Sequence, residues 1–170
     1  MSRAPDELRV VSGLRAGLIG DVAALHGRYY AAHWNFPVFF EAKVASEMAA
    51  FCLRYDAARD LVLSVDGSEG RVAGAITLDV SDEALAAGEG HLRWFIIDDA
   101  MRGRGLGKRL IADVTAFARG SGLRSIYLTT FRGLDAASKL YLNSGFRVTD
   151  EREGATWGRT VVEQRLQLDF

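Results

Sequence analysis

The stretch from His91 to Gly107, HLRWFIIDDAMRGRGLG, restricts the fold more than any other part of the chain. Leu92, Trp94, Phe95, Ile96 and Ile97 make a near-continuous apolar run, which predicts a strand buried on both faces. Two aspartates and a short turn follow. Leu106, Leu110, Val114, Phe117 and Ala118 then recur on one face at helical spacing. A strand that enters a helix through Arg102-Gly103-Arg104-Gly105-Leu106-Gly107 creates an anion site. The first N–H groups of a helix lack internal partners, and the helix dipole is positive there. Glycines in the turn keep side chains away from those amides. Arg102, Arg104, Lys108 and Arg109 add positive charge around it.

Two common nucleotide patterns do not fit this turn. A dinucleotide G-x-G-x-x-G counted from Gly103 and Gly105 needs a third glycine where Lys108 stands. A P-loop needs glycine where Arg102 stands and Ser or Thr where Arg109 stands. Taken alone, the turn also fits a plain strand-to-helix connection.

The 170 residues suit one domain, 1–170, with a sizeable core. A net charge of −1 and the lack of a long basic run argue against a nucleic-acid partner. The apolar runs are too short for a membrane span, and MSRAPDELRVVSG lacks the apolar core of a signal peptide. The single cysteine, Cys52, excludes an internal disulfide. It falls in an apolar helix pattern, where a small buried side chain is expected rather than a catalytic thiol. No metal site is expected, and these features together suit a cytoplasmic protein.

Along the chain, Leu8–Val11 predicts a first strand, and Asp21 is a candidate helix cap before Val22–Trp34. HWNFPVFF is a dense aromatic cluster, and Val44, Met48, Phe51 and Cys52 share one face of a second helix. Residues 61–65 and 72–80 predict a hairpin around Asp66–Gly70. Asp79, Asp82, Glu83 and Glu89 have no Lys or Arg between residues 79 and 90. That segment reads either as a solvated loop or as a negative rim that attracts a cationic amine. Residues 125–130 predict a strand and 135–143 a short helix, which Ser144-Gly145 ends. Two strands follow, 146–149 and 160–168, joined by the turn-rich EREGATWG. Hairpins mixed with strand–helix crossovers give an α/β (α+β) sheet with helices on its faces.

Two motifs carry a resemblance. One is Arg102-x-x-Gly105-x-Gly107 after an apolar strand; the other is AASKLYLNSGF, Ala136 to Phe146. The latter resembles the A-x-x-L-Y-x-x-x-G-F signature of the GNAT superfamily of N-acetyltransferases, with Ala137, Leu140, Tyr141, Gly145 and Phe146 in register. With the order of elements, the resemblance covers nearly the whole chain and implies a mixed, largely antiparallel sheet of about six to seven strands with about four helices. HLRWFIID, LTTFRGLDAA and WGRTVVEQR resemble most the acetyltransferase half of MarR–GNAT fusion proteins. No room for the winged-helix half is expected before the first strand, so a DNA-binding role is not carried over. Leu134 stands where many members have an asparagine near the cofactor arm.

The resemblance implies acetyl-CoA (coenzyme A) as donor and a primary amine as acceptor, on a small molecule, a peptide N-terminus or a lysine. The diphosphate would rest on amides of Arg104 to Lys108 within the turn Arg102, Gly103, Arg104, Gly105, Leu106, Gly107 and Lys108. The pantetheine arm would pair with Phe95, Ile96 and Ile97, where a backbone N–H would polarise the thioester carbonyl. Tyr141 matches the family's general acid for the departing thiolate; the other reading is a core aromatic. His91, Arg93, Glu41, His26 and His33 are polar groups near the implied acceptor pocket, but none is singled out as a base, and water can replace them. Trp34, Phe36, Phe39 and Trp157 either line that pocket or belong to the core. The resemblance also allows a homodimer through the C-terminal strands. A non-catalytic acyl-CoA-binding or sensing module on the same fold is the alternative.

Overall fold

The computed structural model describes residues 8–170. The reading of the N-terminal seven residues therefore lies outside the described residues. Among those described, seven strands form one sheet: β1 (Val10–Ser12), β2 (Leu61–Asp66), β3 (Val72–Asp79), β4 (Glu89–Ile97), β5 (Ser125–Phe131), β6 (Arg147–Gly154) and β7 (Val161–Asp169). The spatial order is β1-β2-β3-β4-β5-β7-β6. Every neighbouring pair is antiparallel except β4 and β5. Four α-helices cover it: α1 (Leu18–Trp34), α2 (Val38–Arg54), α3 (Leu106–Gly120) and α4 (Asp135–Asn143). This is the mixed, largely antiparallel architecture the sequence implies.

Each face has its own core. On one side Leu106, Leu110, Ile111 and Val114 of α3 and Tyr141 of α4 pack on Ile76, Leu78, Ile126, Leu128 and Leu166. On the other, Val22 of α1 and Phe40, Val44, Met48 and Phe51 of α2 pack on Val62, Ala75, Trp94 and Phe131. The helical periods seen in sequence are these two faces.

Three expectations change. Asp21 is not a cap: α1 starts earlier, after Gly17, because Leu18 is buried in the core. The Asp21 carboxylate instead accepts a hydrogen bond from the Val72 amide at 2.9 Å and ties α1 to β3. The last hairpin is longer than its apolar residues suggested, since EREG continues β6 against β7. Nearly all of β6 is exposed, so no buried face leaves an apolar period to read. The acidic segment is a loop only between β3 and β4, where Glu83 is exposed; the acids at its two ends are paired and form no negative rim. Asp79 is fully buried and receives two hydrogen bonds from Arg54, at 2.8 and 2.5 Å, and a third from Arg93 at 3.4 Å. Glu89 pairs with Arg165 at 2.5 Å. The counter-charges come from α2, β4 and β7, which adjacency along the chain cannot show.

Candidate active site

β4 and β5 stay paired for only three residues: Glu89↔Ser125, Gly90↔Ile126 and His91↔Tyr127. Beyond His91 they diverge. One edge of β4 from Leu92 to Ile97 faces a cavity of about 700 Å³ that Leu128 to Phe131 of β5 line from the other side. Strand edges carry free N–H and C=O groups, so the gap can hold an extended chain bearing amides.

A bulge shapes that edge. Arg93 pairs with Thr77 and Ile96 with Ala75, so Trp94 and Phe95 stand opposite the single residue Ile76. Trp94 takes a left-handed conformation, φ 47°, which costs a non-glycine residue on the order of 1–3 kcal/mol. The bulge resets the side-chain alternation. Leu92 packs on the α3 face, whereas Trp94, two residues on, packs on the α1–α2 face. Both faces are therefore apolar, as the unbroken run suggested. Phe95 and Ile97 stay only half-buried because they border the cavity.

The turn after β4 closes one end of the cleft. Gly105 precedes α3 with φ 72°, where a side chain is strained, and no side chain caps the helix. The first intrahelical bond here is from the Arg109 amide to the Gly105 carbonyl, which leaves the Leu106, Gly107 and Lys108 amides without helical partners. Nothing within 4 Å stands over the position of an added Cβ at Gly103 or Gly105. Open space over unpaired amides at a positive helix end suits a diphosphate. Arg102, Gly103, Gly105, Leu106 and Gly107 line the cavity, as do Phe95, Ile96, Ile97 and Tyr141. Arg104 and Lys108 lie in the same turn, exposed, outside the lining. Arg102 pairs with Asp99 at 3.0 Å and lies over the Tyr29 ring at 4.6 Å.

Tyr141 projects from α4 between the rings of Phe95 and Phe146. Burial, and then the neighbouring Tyr30 hydroxyl, push its own hydroxyl well above the ordinary tyrosine range. It therefore keeps its proton at neutral pH. Leu134 lies at the start of α4 and lines the cavity.

The other end of the cleft is built by α1 and α2. His26, Tyr30 and Trp34 recur every fourth residue on α1 and present one wall. Phe131 lies against both Trp34, 4.8 Å between ring centres, and Trp157, 5.7 Å. Trp34 and Trp157 thus line the cavity, Phe36 is core, and Phe39 is 56% exposed and belongs to neither. Lys43 and Glu47 of α2 form an ion pair there, and Arg93 reaches Glu47 at 2.6 Å. These two were not singled out from the sequence. Their i,i+4 spacing was visible, but their partner Arg93 lies 46 residues beyond Glu47.

The polar groups named around the implied acceptor pocket separate. His26 and His91 line the cavity, whereas Glu41 and His33 are exposed outside its lining. Arg93 lines it too, stacked over Trp94 at 4.3 Å. Burial lowers the His91 ring to about 3, with Arg93 and Arg165 adding to the effect. Burial lowers His26 to about 4 against a hydrogen bond to the Val22 carbonyl. Cys52 is half-buried in α2, and burial raises its thiol, so it stays an unreactive apolar group. Among the described residues no group of three or more His, Cys, Asp or Glu is placed to hold a metal. No helix described is long and apolar enough to cross a membrane.

A splayed parallel pair, a bulge at the opening and a bare helix start beside it make a cleft that suits an extended molecule ending in a diphosphate. The acetyltransferase (GNAT) family model matches residues 22–146, and the chain belongs to that family. N-acetyltransferase 8F1 of Rattus norvegicus is 29% identical over 142 residues, 78% of this chain; the chain spans only 64% of that relative's length. Among solved structures, a GCN5-related N-acetyltransferase from Kribbella flavida superposes with a TM-score of 0.72 at 19% identity, covering 98% of this chain and 100% of the other. The yncA protein of Salmonella typhimurium, solved with its cofactor acetyl-CoA, gives 0.65 at 19% identity, over 96% and 94%. These two structures share the fold.

Proposed function

We propose that this chain transfers an acetyl group from acetyl-CoA to a primary amine by direct attack. The observation that carries the reading is the divergence of β4 and β5 beyond His91, which opens onto the unpartnered amides of α3. The amides of Leu106, Gly107 and Lys108 hold the diphosphate, with Arg102 and Arg104 flanking it. The free edge of Phe95, Ile96 and Ile97 receives the amides of the pantetheine arm. Bound acetyl-CoA supplies the electrophilic thioester carbonyl. A β4 N–H at the bulge stabilises the charge that develops on its oxygen. The cleft brings amine and thioester together, which is the larger part of the acceleration. Tyr141 protonates the leaving sulfur, a role suited to a buried hydroxyl that keeps its proton.

The acceptor enters between α1, α2 and the β6–β7 loop, where Trp34 and Trp157 give it an apolar wall. It is a small molecule, a peptide end or a lysine. The chain acts as one transferase domain, since a single sheet runs through the described residues, and it works in the cytoplasm. HLRWFIID, LTTFRGLDAA and WGRTVVEQR support an ancestry beside the transferase half of MarR-type fusions, without a DNA-binding role. Exposed β6 supports pairing of two copies through the C-terminal strands.

Thiol release from acetyl-CoA across a panel of primary amines tests the reading. Turnover of at least one amine is expected. CoA-induced thermal stabilisation with no turnover would support an acyl-CoA sensor instead, and absence of both would remove the cofactor assignment.

A further inference from the structure

His26 is 5% exposed and lines the cavity from the middle of α1. Its Nδ1 lies 2.8 Å from the Val22 carbonyl oxygen, one turn back. A carbonyl only accepts, so Nδ1 carries the hydrogen. In the neutral ring Nε2 is then a bare lone pair. Among the described residues Nε2 has no hydrogen-bond partner. The ring is held in place by Tyr30, nearly parallel at 6.2 Å, and by Phe40 at 6.1 Å. An oriented, unpartnered acceptor on a buried ring that lines an acyl cleft has one obvious complement, a donor N–H on the molecule that enters.

Two other titratable groups of that wall are already committed, and the one further carboxylate of the lining among the described residues, Asp135, is exposed at the start of α4. Glu47 is held by Lys43 and Arg93. His91 lies flat against Tyr127 at 4.3 Å, and a proton on it would face Arg93 and Arg165. No cation opposes a proton on His26, whose protonation is disfavoured by burial alone.

We propose that Nε2 of His26 accepts the N–H of the acceptor amine and takes the proton that the nitrogen sheds as it attacks. The inference rests on the acetyltransferase reading above. The amine lone pair forms the C–N bond while the carbonyl pair moves onto oxygen, and one N–H proton passes to Nε2. As that pair returns, the C–S bond breaks and the sulfur takes the Tyr141 proton. Nε2 releases its proton to solvent, and Tyr141 recovers one. The net change is amine plus acetyl thioester to N-acetyl amine plus thiol.

His26→Phe keeps the stacked ring and removes the lone pair. The Val22 carbonyl still accepts the residue 26 main-chain N–H, so the helix keeps its bond. The probes are methylamine, small enough for any acceptor cleft, and 2-phenylethylamine, which matches the aromatic wall. The expected result with acetyl-CoA is a fall in kcat of about a hundredfold, with KM for acetyl-CoA and the melting temperature little changed. Free imidazole should restore part of the turnover of His26→Ala. In the wild-type chain, 15N spectra of the histidines at pH 7 should show His26 protonated on Nδ1 only. Unchanged kcat, no rescue by imidazole, or a hydrogen on Nε2 would each overturn the proposal. CoA binding with no turnover of either amine also overturns it and leaves the diphosphate site standing. If CoA fails to bind, the reading beneath it fails as well.

Discussion

Tyr141 sits where two demands meet. Its ring fills a gap in the α3-side core between Phe95 and Phe146, while its place on the cavity wall exposes it to whatever the cleft holds. Tyr141→Phe keeps the first role and removes the second. Turnover should fall well over tenfold while CoA affinity persists, which steady-state kinetics beside calorimetry would show; equal turnover would make Tyr141 a packing residue. Gly105 makes another single-residue case. Its φ of 72° strains any side chain, although nothing lies within 4 Å of an added methyl. Gly105→Ala should cost about 1 kcal/mol in chemical denaturation. It should also weaken CoA binding, because the methyl sits beside the amides of α3. Unaltered affinity would move the diphosphate elsewhere.

Elements were legible where burial left a period. The face of α3 and the short helix α4 follow from apolar spacing, and the β2–β3 hairpin from the glycine-bearing turn between two strands. Three features left no such trace. The Trp94 bulge changes register inside an unbroken apolar run, where both faces read alike. The polar strand β6 has no buried face. The ion pairs that join elements link residues far apart in the chain: Arg54 with Asp79, Arg93 with Glu47 and Arg165 with Glu89. Of the candidate site, the turn into α3 was legible because glycines and a helix start are local signals, whereas the place given to Phe95, Ile96 and Ile97 came from the family resemblance. The wall built by α1 and α2 depends on how those helices lie over the sheet, so its residues could be named but not sorted. The Arg54–Asp79 pair gives that docking a test. Asp79 is fully buried, but Arg54 is 34% exposed and keeps Asp82 at 3.8 Å. Asp79→Ala should therefore cost less than the about 3–5 kcal/mol of a wholly buried pair in urea titrations, whereas a loss below about 1 kcal/mol would class the pair with solvent-exposed ones.

For the molecule as a whole, two neutral rings set its tolerance of acid. His26 and His91 are lowered to about 4 and about 3 from an ordinary value of 6.5. Below 6.5 the unfolded chain binds protons at these rings that the folded chain refuses. Their contribution to stability is complete above that pH and is lost as the pH falls from 6.5 towards about 4 for His26 and about 3 for His91. Unfolding free energy should therefore drop by on the order of a few kcal/mol across that window, and by less in His26→Phe. If the main-chain amides at the start of α3 hold a diphosphate, titration calorimetry must separate CoA from pantetheine, which lacks that group. CoA should bind, and pantetheine at least about tenfold more weakly, a difference near 1.4 kcal/mol. Equal affinity for the two, or none for CoA, would rule this site out.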